Sequence, residues 1–195
     1  MISYIPIKVN NLDIIKNEII DFSKTLFDIS KKCRVKLDIE KVLSLTHVHS
    51  MLKEMNMIEH LAMIYIFTIE PGYKTEVHVD IIKNSVKLEN LSYNFLIPLF
   101  GYEESFRNYY SLKNGAQGID YKDIVTYYNI EDCILDKRIR TTYPTLHNIK
   151  YPHSFENLSQ TNHRSMCSFR LKNTYTINYK FVDIGISPYE SSSFI

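Results

Sequence analysis

The chain is poor in several residue types that often announce a structural class. It has three cysteines, five glycines, six prolines and no tryptophan among 195 residues. Cys33, Cys133 and Cys167 are scattered and odd in number, so they cannot form a complete disulfide framework and fit reduced thiols better. No stretch approaches the ~20 apolar residues needed to span a bilayer. The first residues, MISYIPIKVNNLD, lack a basic segment followed by an apolar one, so no secretory signal is expected and a cytoplasmic location is. Neither charge dominates: 23 Lys and Arg face 22 Asp and Glu, a formal net charge of +1. That balance argues against a nucleic-acid or anionic-membrane partner. There is no repeat and no low-complexity stretch. The few glycines, fifteen tyrosines and abundant Asn, Ile and Lys point to AT-rich codons rather than to any chemistry.

What is present suits a core of ordinary size, with 45% apolar residues in a length typical of one domain. A single domain over 1–195 is expected, with a helical part (1–60), a β core (61–175) and a C-terminal extension (176–195). After Asn11, apolar residues recur at Leu12, Ile15, Ile19, Phe22, Leu26 and Ile29, the three-four spacing of an amphipathic helix. A second periodic stretch follows Asp38, through Ile39, Val42, Leu45, Val48, Leu52 and Met55. Near His60 the pattern changes. Leu61–Ile69 is a dense run of β-branched and aromatic residues, expected as a buried strand ended by the turn Pro71-Gly72. Further strands are expected at Glu76–Asp80, Leu91–Leu99, Thr145–Phe155 and Arg164–Leu171. Residues 101–140 have a less regular pattern, and substrate or lid loops are expected there. Helices followed by many short strands argue for a β sandwich or barrel with helices on one outer face.

His78 and Asp80 are two apart on an expected strand, so they point to the same face and can reach one ion, while Val77 and Val79 point away. Two imidazoles and one carboxylate, with open positions left, form the facial triad of non-haem Fe(II) oxygenases. His153, in Tyr151-Pro-His-Ser-Phe-Glu-Asn157, is the best candidate for the third ligand. On the closing strand Arg164, Met166, Ser168 and Arg170 share a polar face, and Ser165, Cys167, Phe169 and Leu171 share a mostly apolar one suited to lie under the helices.

Taken in order, Pro71-Gly72, His78-Val-Asp80, Pro152-His-Ser154 and Arg164 resemble the 2-oxoglutarate/Fe(II)-dependent dioxygenase superfamily. The likeness covers residues 61 to 171. It implies a mainly β, double-stranded β-helix (jelly-roll or cupin-like) core with the N-terminal helices on one outer face. It also implies Fe(II) on His78, Asp80 and His153, 2-oxoglutarate and O2 as cosubstrates, and hydroxylation of a small molecule or an amino-acid or peptide side chain. Arg164, eleven residues after His153, would grip the far carboxylate of 2-oxoglutarate, since a guanidinium pairs bidentately with a carboxylate and keeps its charge. Arg170 stands in reserve for that role or for substrate, and Tyr93 or Asn94 for a hydrogen bond to the cosubstrate. Glu76, His147 and Asn157 are of suitable type to orient the ligands. Leu96-Ile-Pro-Leu99 fits both the prolyl hydroxylase-like and the aspartyl/asparaginyl hydroxylase-like branches.

Other histidines have plainer roles. His47 and His49 sit in a helical stretch, where residues two apart do not face each other. His147 is six residues from His153, too far along one strand to share an ion, and is expected in the core or lining the pocket. His163 is expected in a loop. Two other functions compete with the oxygenase: a cupin-type protein that binds a metal or ligand without catalysis, and a metal-dependent hydrolase, which would leave Arg164 without a role.

Overall fold

The computed structural model describes residues 3–80, 91–121 and 125–182. Among the described residues, twelve strands form two six-stranded antiparallel sheets. The first sheet contains β1 (Tyr4–Pro6), β2 (Cys33–Leu37), β3 (Leu61–Ile69), β5 (Leu91–Phe100), β10 (Thr145–Asn148) and β12 (Arg164–Lys172), in the order β1-β10-β5-β12-β3-β2. The second contains β4 (Val77–Val79), β6 (Ser105–Leu112), β7 (Ile119–Tyr121), β8 (Val125–Tyr128), β9 (Cys133–Arg140) and β11 (His153–Asn157), in the order β7-β8-β4-β11-β6-β9. From β3 to β6 and from β9 to β12 the chain passes back and forth between the sheets, while β6 and β9 pair within the second sheet with the β7–β8 hairpin inserted between them. The result is a double-stranded β-helix.

Three of the expected strands coincide closely with observed ones, β3, β5 and β12. The apolar face of β12 (Cys167, Phe169, Leu171) joins Ile64, Ile66, Phe95 and Ile97 in the main core. Covering that core are Ile15 and Ile19 of α1 (Leu12–Lys24), Val42 of α2 (Ile39–Leu43) and Val48, Met51 and Leu52 of α3 (Thr46–Glu54). The helices thus lie on the outer face of the first sheet, and its inner face looks toward the second sheet. Glu18 of α1 ties the layer together: its carboxylate accepts from the backbone N–H of His47 and Val48 at the start of α3 and meets the His47 ring at 2.7 Å. Among the described residues, no helix is long and apolar enough to cross a membrane.

Several expectations need correction. The first third is not wholly helical: β1 and β2 are edge strands of the first sheet. The second periodic stretch is broken at Ser44 into α2 and α3. Residues 101–140 are largely strands of the second sheet rather than lid loops, because Ser105–Leu112 pairs with both β9 and β11. Thr145–Phe155 is not one strand. It is β10 in the first sheet and β11 in the second, joined by a turn in which the N–H of Tyr151 donates to the carbonyl of Asn148 at 3.2 Å. The proposed C-terminal extension lies outside the described residues from 183 on.

Candidate metal centre and its cavity

Three neighbouring strands of the second sheet set the position of the site. His153 of β11 pairs with His78 of β4 on one side and with Tyr109 of β6 on the other. Paired residues in a sheet project to the same face, so both imidazoles enter the space between the sheets. Asp80 follows β4 directly, and its N–H donates to the carbonyl of Ile149 at 3.2 Å, which ties it to the turn preceding His153. The His78 and His153 rings lie 4.4 Å apart, and His78 Nε2 is 3.8 Å from Asp80 Oδ1. One donor atom from each of the three residues falls within 4.8 Å of the others. Metal–ligand bonds of about 2.0–2.2 Å cap the separation of two ligands near ~4.4 Å, so small side-chain rotations would close the set on one ion.

The donor chemistry fits such an ion. His78 Nδ1 donates to the carbonyl of Glu76 and His153 Nδ1 to that of Tyr151, each at 2.8 Å. A carbonyl only accepts, so each ring carries its proton on Nδ1 and presents the Nε2 lone pair to the cavity. His153 Nε2 is buried with no hydrogen-bond partner in the protein. Burial, then the neighbouring His78, pushes the His153 pKa well below the usual value, leaving the neutral ring that binds metals. Burial would raise the Asp80 carboxyl, but Arg170 first, then His153 and His78, outweigh it and hold Asp80 at about 2. Its charge is further secured by Arg170, whose Nη2 lies 3.3 Å from Asp80 Oδ2.

The triad opens onto a cavity of about 670 Å³ between the sheets. Arg164, Ser168, Arg170 and Asn94 line it from the first sheet, as expected of the polar face of β12. Tyr93 does not: strand alternation sends it to the opposite face, where it packs against the helix-covered core. Arg164 is buried, donates to Thr141 Oγ1 at 3.1 Å and sits 5.3 Å from the centre of the Phe155 ring. Burial, with Arg107 nearby, lowers its pKa to about 9.

His147 is buried and outside the triad, as expected, but the turn between β10 and β11 folds it back against His153, with ring centres 4.3 Å apart. His147 Nδ1 meets the Tyr109 hydroxyl at 3.1 Å, while its Nε2 is buried and without a partner. Asn157 is structural, its amide donating to the carbonyls of Glu70 and Asn162. Arg107, which the sequence did not single out, also lines the cavity. The signal for it was strand parity: Arg107, Tyr109 and Ser111 share one face, legible only once this segment is known to be a strand.

No family model and no curated protein matches the sequence. Solved structures do match in fold. EvdMO1 superposes with a TM-score of 0.51 at 12% identity over 89% of this chain, which spans about half (48%) of that protein. AviO1 from Streptomyces viridochromogenes Tue57 gives 0.49 at 10% identity over 90% of this chain and 92% of its own. CytC3, solved with Fe(II) and alpha-ketoglutarate, gives 0.45 at 10% identity over 92% of this chain and 82% of its own. At such identities the likeness speaks to the fold.

Proposed function

We propose that the protein is an Fe(II)- and 2-oxoglutarate-dependent oxygenase that hydroxylates a small molecule or an amino-acid side chain. The observation that carries this reading is a two-histidine, one-carboxylate set on the second sheet and a buried guanidinium, Arg164, lining the same cavity from the first sheet. His78, Asp80 and His153 would hold the metal, and Arg164 the far carboxylate of the cosubstrate. That CytC3 has been solved with both groups adds support by fold analogy alone. Bound together, iron, 2-oxoglutarate and O2 supply the oxidising power that breaks a substrate C–H bond.

The chain's own residues do the rest. Glu76 and Tyr151 fix the tautomers of the two imidazoles through their carbonyls. Arg170 orients the Asp80 carboxylate by engaging one oxygen and leaving the other for the metal. Thr141 and Phe155 hold the Arg164 side chain toward the cavity. The Phe67, Met166 and Phe155 side chains keep much of the wall apolar and water-poor.

The test is anaerobic titration of the Fe(II) protein with 2-oxoglutarate, read by the metal-to-ligand charge-transfer band in the visible range. Binding is expected, and its absence would overturn the oxygenase reading. Arg164→Ala should weaken 2-oxoglutarate on the order of a hundredfold, the scale of one charge-assisted pair, while leaving Fe(II) affinity in place. Equal loss of both would mean the substitution damaged the fold. A substrate screen read by succinate release then addresses the acceptor.

A further inference from the structure

We infer that Arg107 is a second cationic contact for the cosubstrate, closing with Arg164 around its far carboxylate. The inference rests on the oxygenase reading and adds a residue to it. Arg107 stands on β6 opposite Phe155 of β11, and its guanidinium lies 4.0 Å from the centre of that ring. Arg164 reaches the same ring from the other sheet, at 5.3 Å. Two guanidiniums from facing sheets therefore meet at one aromatic side chain inside the cavity.

Their charge is not balanced by the protein. The inner cavity carries Arg107, Arg164 and Arg170 against one buried carboxylate, Asp80, which Arg170 already engages. Arg107 is 1% exposed, and its Nε and Nη1 have no hydrogen-bond partner. Stacking on Phe155 offsets only part of what an unpaired buried cation costs. Beside the Tyr109 hydroxyl, which Arg107 contacts, a buried guanidinium with two unanswered N–H groups facing a second cation is a site that awaits an anion.

Position decides which anion. Along β11, Phe155 is two residues beyond the candidate ligand His153, about 6.6 Å at strand rise. A five-carbon 2-oxo diacid held at His78, Asp80 and His153 through the metal would reach along this strand toward Phe155, where Arg107 and Arg164 would meet its far carboxylate. An anionic group on the primary substrate would enter from the mouth, where Tyr73, Glu76 and Tyr127 line the opening and Arg107 does not reach the surface. Double cationic recognition makes the site selective for a diacid over a monoacid.

The experiment titrates anaerobic Fe(II)-loaded wild type and Arg107→Gln with 2-oxoglutarate and with 2-oxobutanoate, which lacks the far carboxylate, using the charge-transfer band. Arg107→Gln is expected to lose roughly tenfold to a hundredfold for the diacid, little for the monoacid, and nothing for Fe(II). Unchanged diacid binding, or equal loss for both acids, overturns the assignment. Arg107→Lys keeps the charge and stem and should lose less than the Gln variant; a greater loss would mark a packing role and overturn it too. Should neither variant fold, wild type still decides: two guanidiniums predict a diacid preference well above the roughly hundredfold of Arg164 alone, and a preference at or below that overturns the assignment. No charge-transfer band from wild type with either acid would instead sink the oxygenase reading itself.

Discussion

Asp80 serves two partners at once, and that sets what its removal does. One oxygen faces the imidazoles of the candidate triad, and the other meets Arg170. Asp80→Ala is expected to abolish Fe(II) binding in isothermal titration. It should also lower stability by roughly 3 kcal/mol in urea denaturation, because Arg170 keeps its burial and loses its counter-charge. Lost metal binding at full stability would show that the Arg170 pair contributes little; retained metal binding would remove Asp80 from the site. Of the candidate site, the sequence showed those residues whose strand frame it also showed. His78 and Asp80 are two apart on a short strand, and Arg164 and Arg170 fall on the polar face of an obvious one. Between Tyr93 and Asn94 the sequence does not choose, and the pairing of Asn94 with Arg170 across β5 and β12 turns Asn94 inward. Arg107 has no such frame, since residues 101–140 carry no regular period.

Among elements, the legible ones had a strong period and a closed end. Leu61–Ile69 and Arg164–Lys172 are inner strands of the first sheet, the second buried on both faces and the first on one with the other half-buried, and their density of apolar and small residues says so. The helical period of 39–55 ran unbroken in sequence through a real break, because apolar spacing records which side is buried and not where backbone hydrogen bonds stop. Strand β2 has alternation of its own, Cys33, Val35 and Leu37 against Arg34 and Lys36, but five residues between two helical patterns are too few to stand out. The split between β10 and β11 hinges on the long-range pairing of His147 with Asn94 and of His153 with His78, which no local pattern carries. One connection gives an element-scale prediction. Gly101, at the end of β5, has φ +66°, and a Cβ there would run into the carbonyl of His163, next to Arg164. Gly101→Ala should cost on the order of 3 kcal/mol in denaturant unfolding. Because the displaced backbone carries Arg164, 2-oxoglutarate affinity should fall with it while Fe(II) affinity holds. A variant of wild-type stability would show that the β5 end can move aside without cost.

For the molecule as a whole, the two sheets enclose imidazoles that resist protonation, and this makes stability depend on pH. Burial first, and the nearby Arg107, push the His147 pKa well below its ordinary value; burial and then His78 do the same for His153, against the opposing pull of Asp80. The folded pKa of each therefore lies below the unfolded one, near 6.5. Between those two values the unfolded chain binds more protons, so stability is fully present above about pH 6.5 and is lost as pH falls below it, by up to ~1.4 kcal/mol per pH unit for each ring. Asp80, held at about 2, adds a loss of the same sign only below its ordinary 3.8. The metal-free protein should accordingly lose up to roughly 4 kcal/mol between pH 6.5 and pH 5 in urea titrations. His147→Gln, which removes one of the two rings and keeps His78, Asp80 and His153 themselves, should roughly halve that slope. Stability that stays level from pH 7 to pH 5, or a slope untouched by the His147 substitution, would mean that these rings take up protons in the folded state and that the space between the sheets is wetter than its packing indicates.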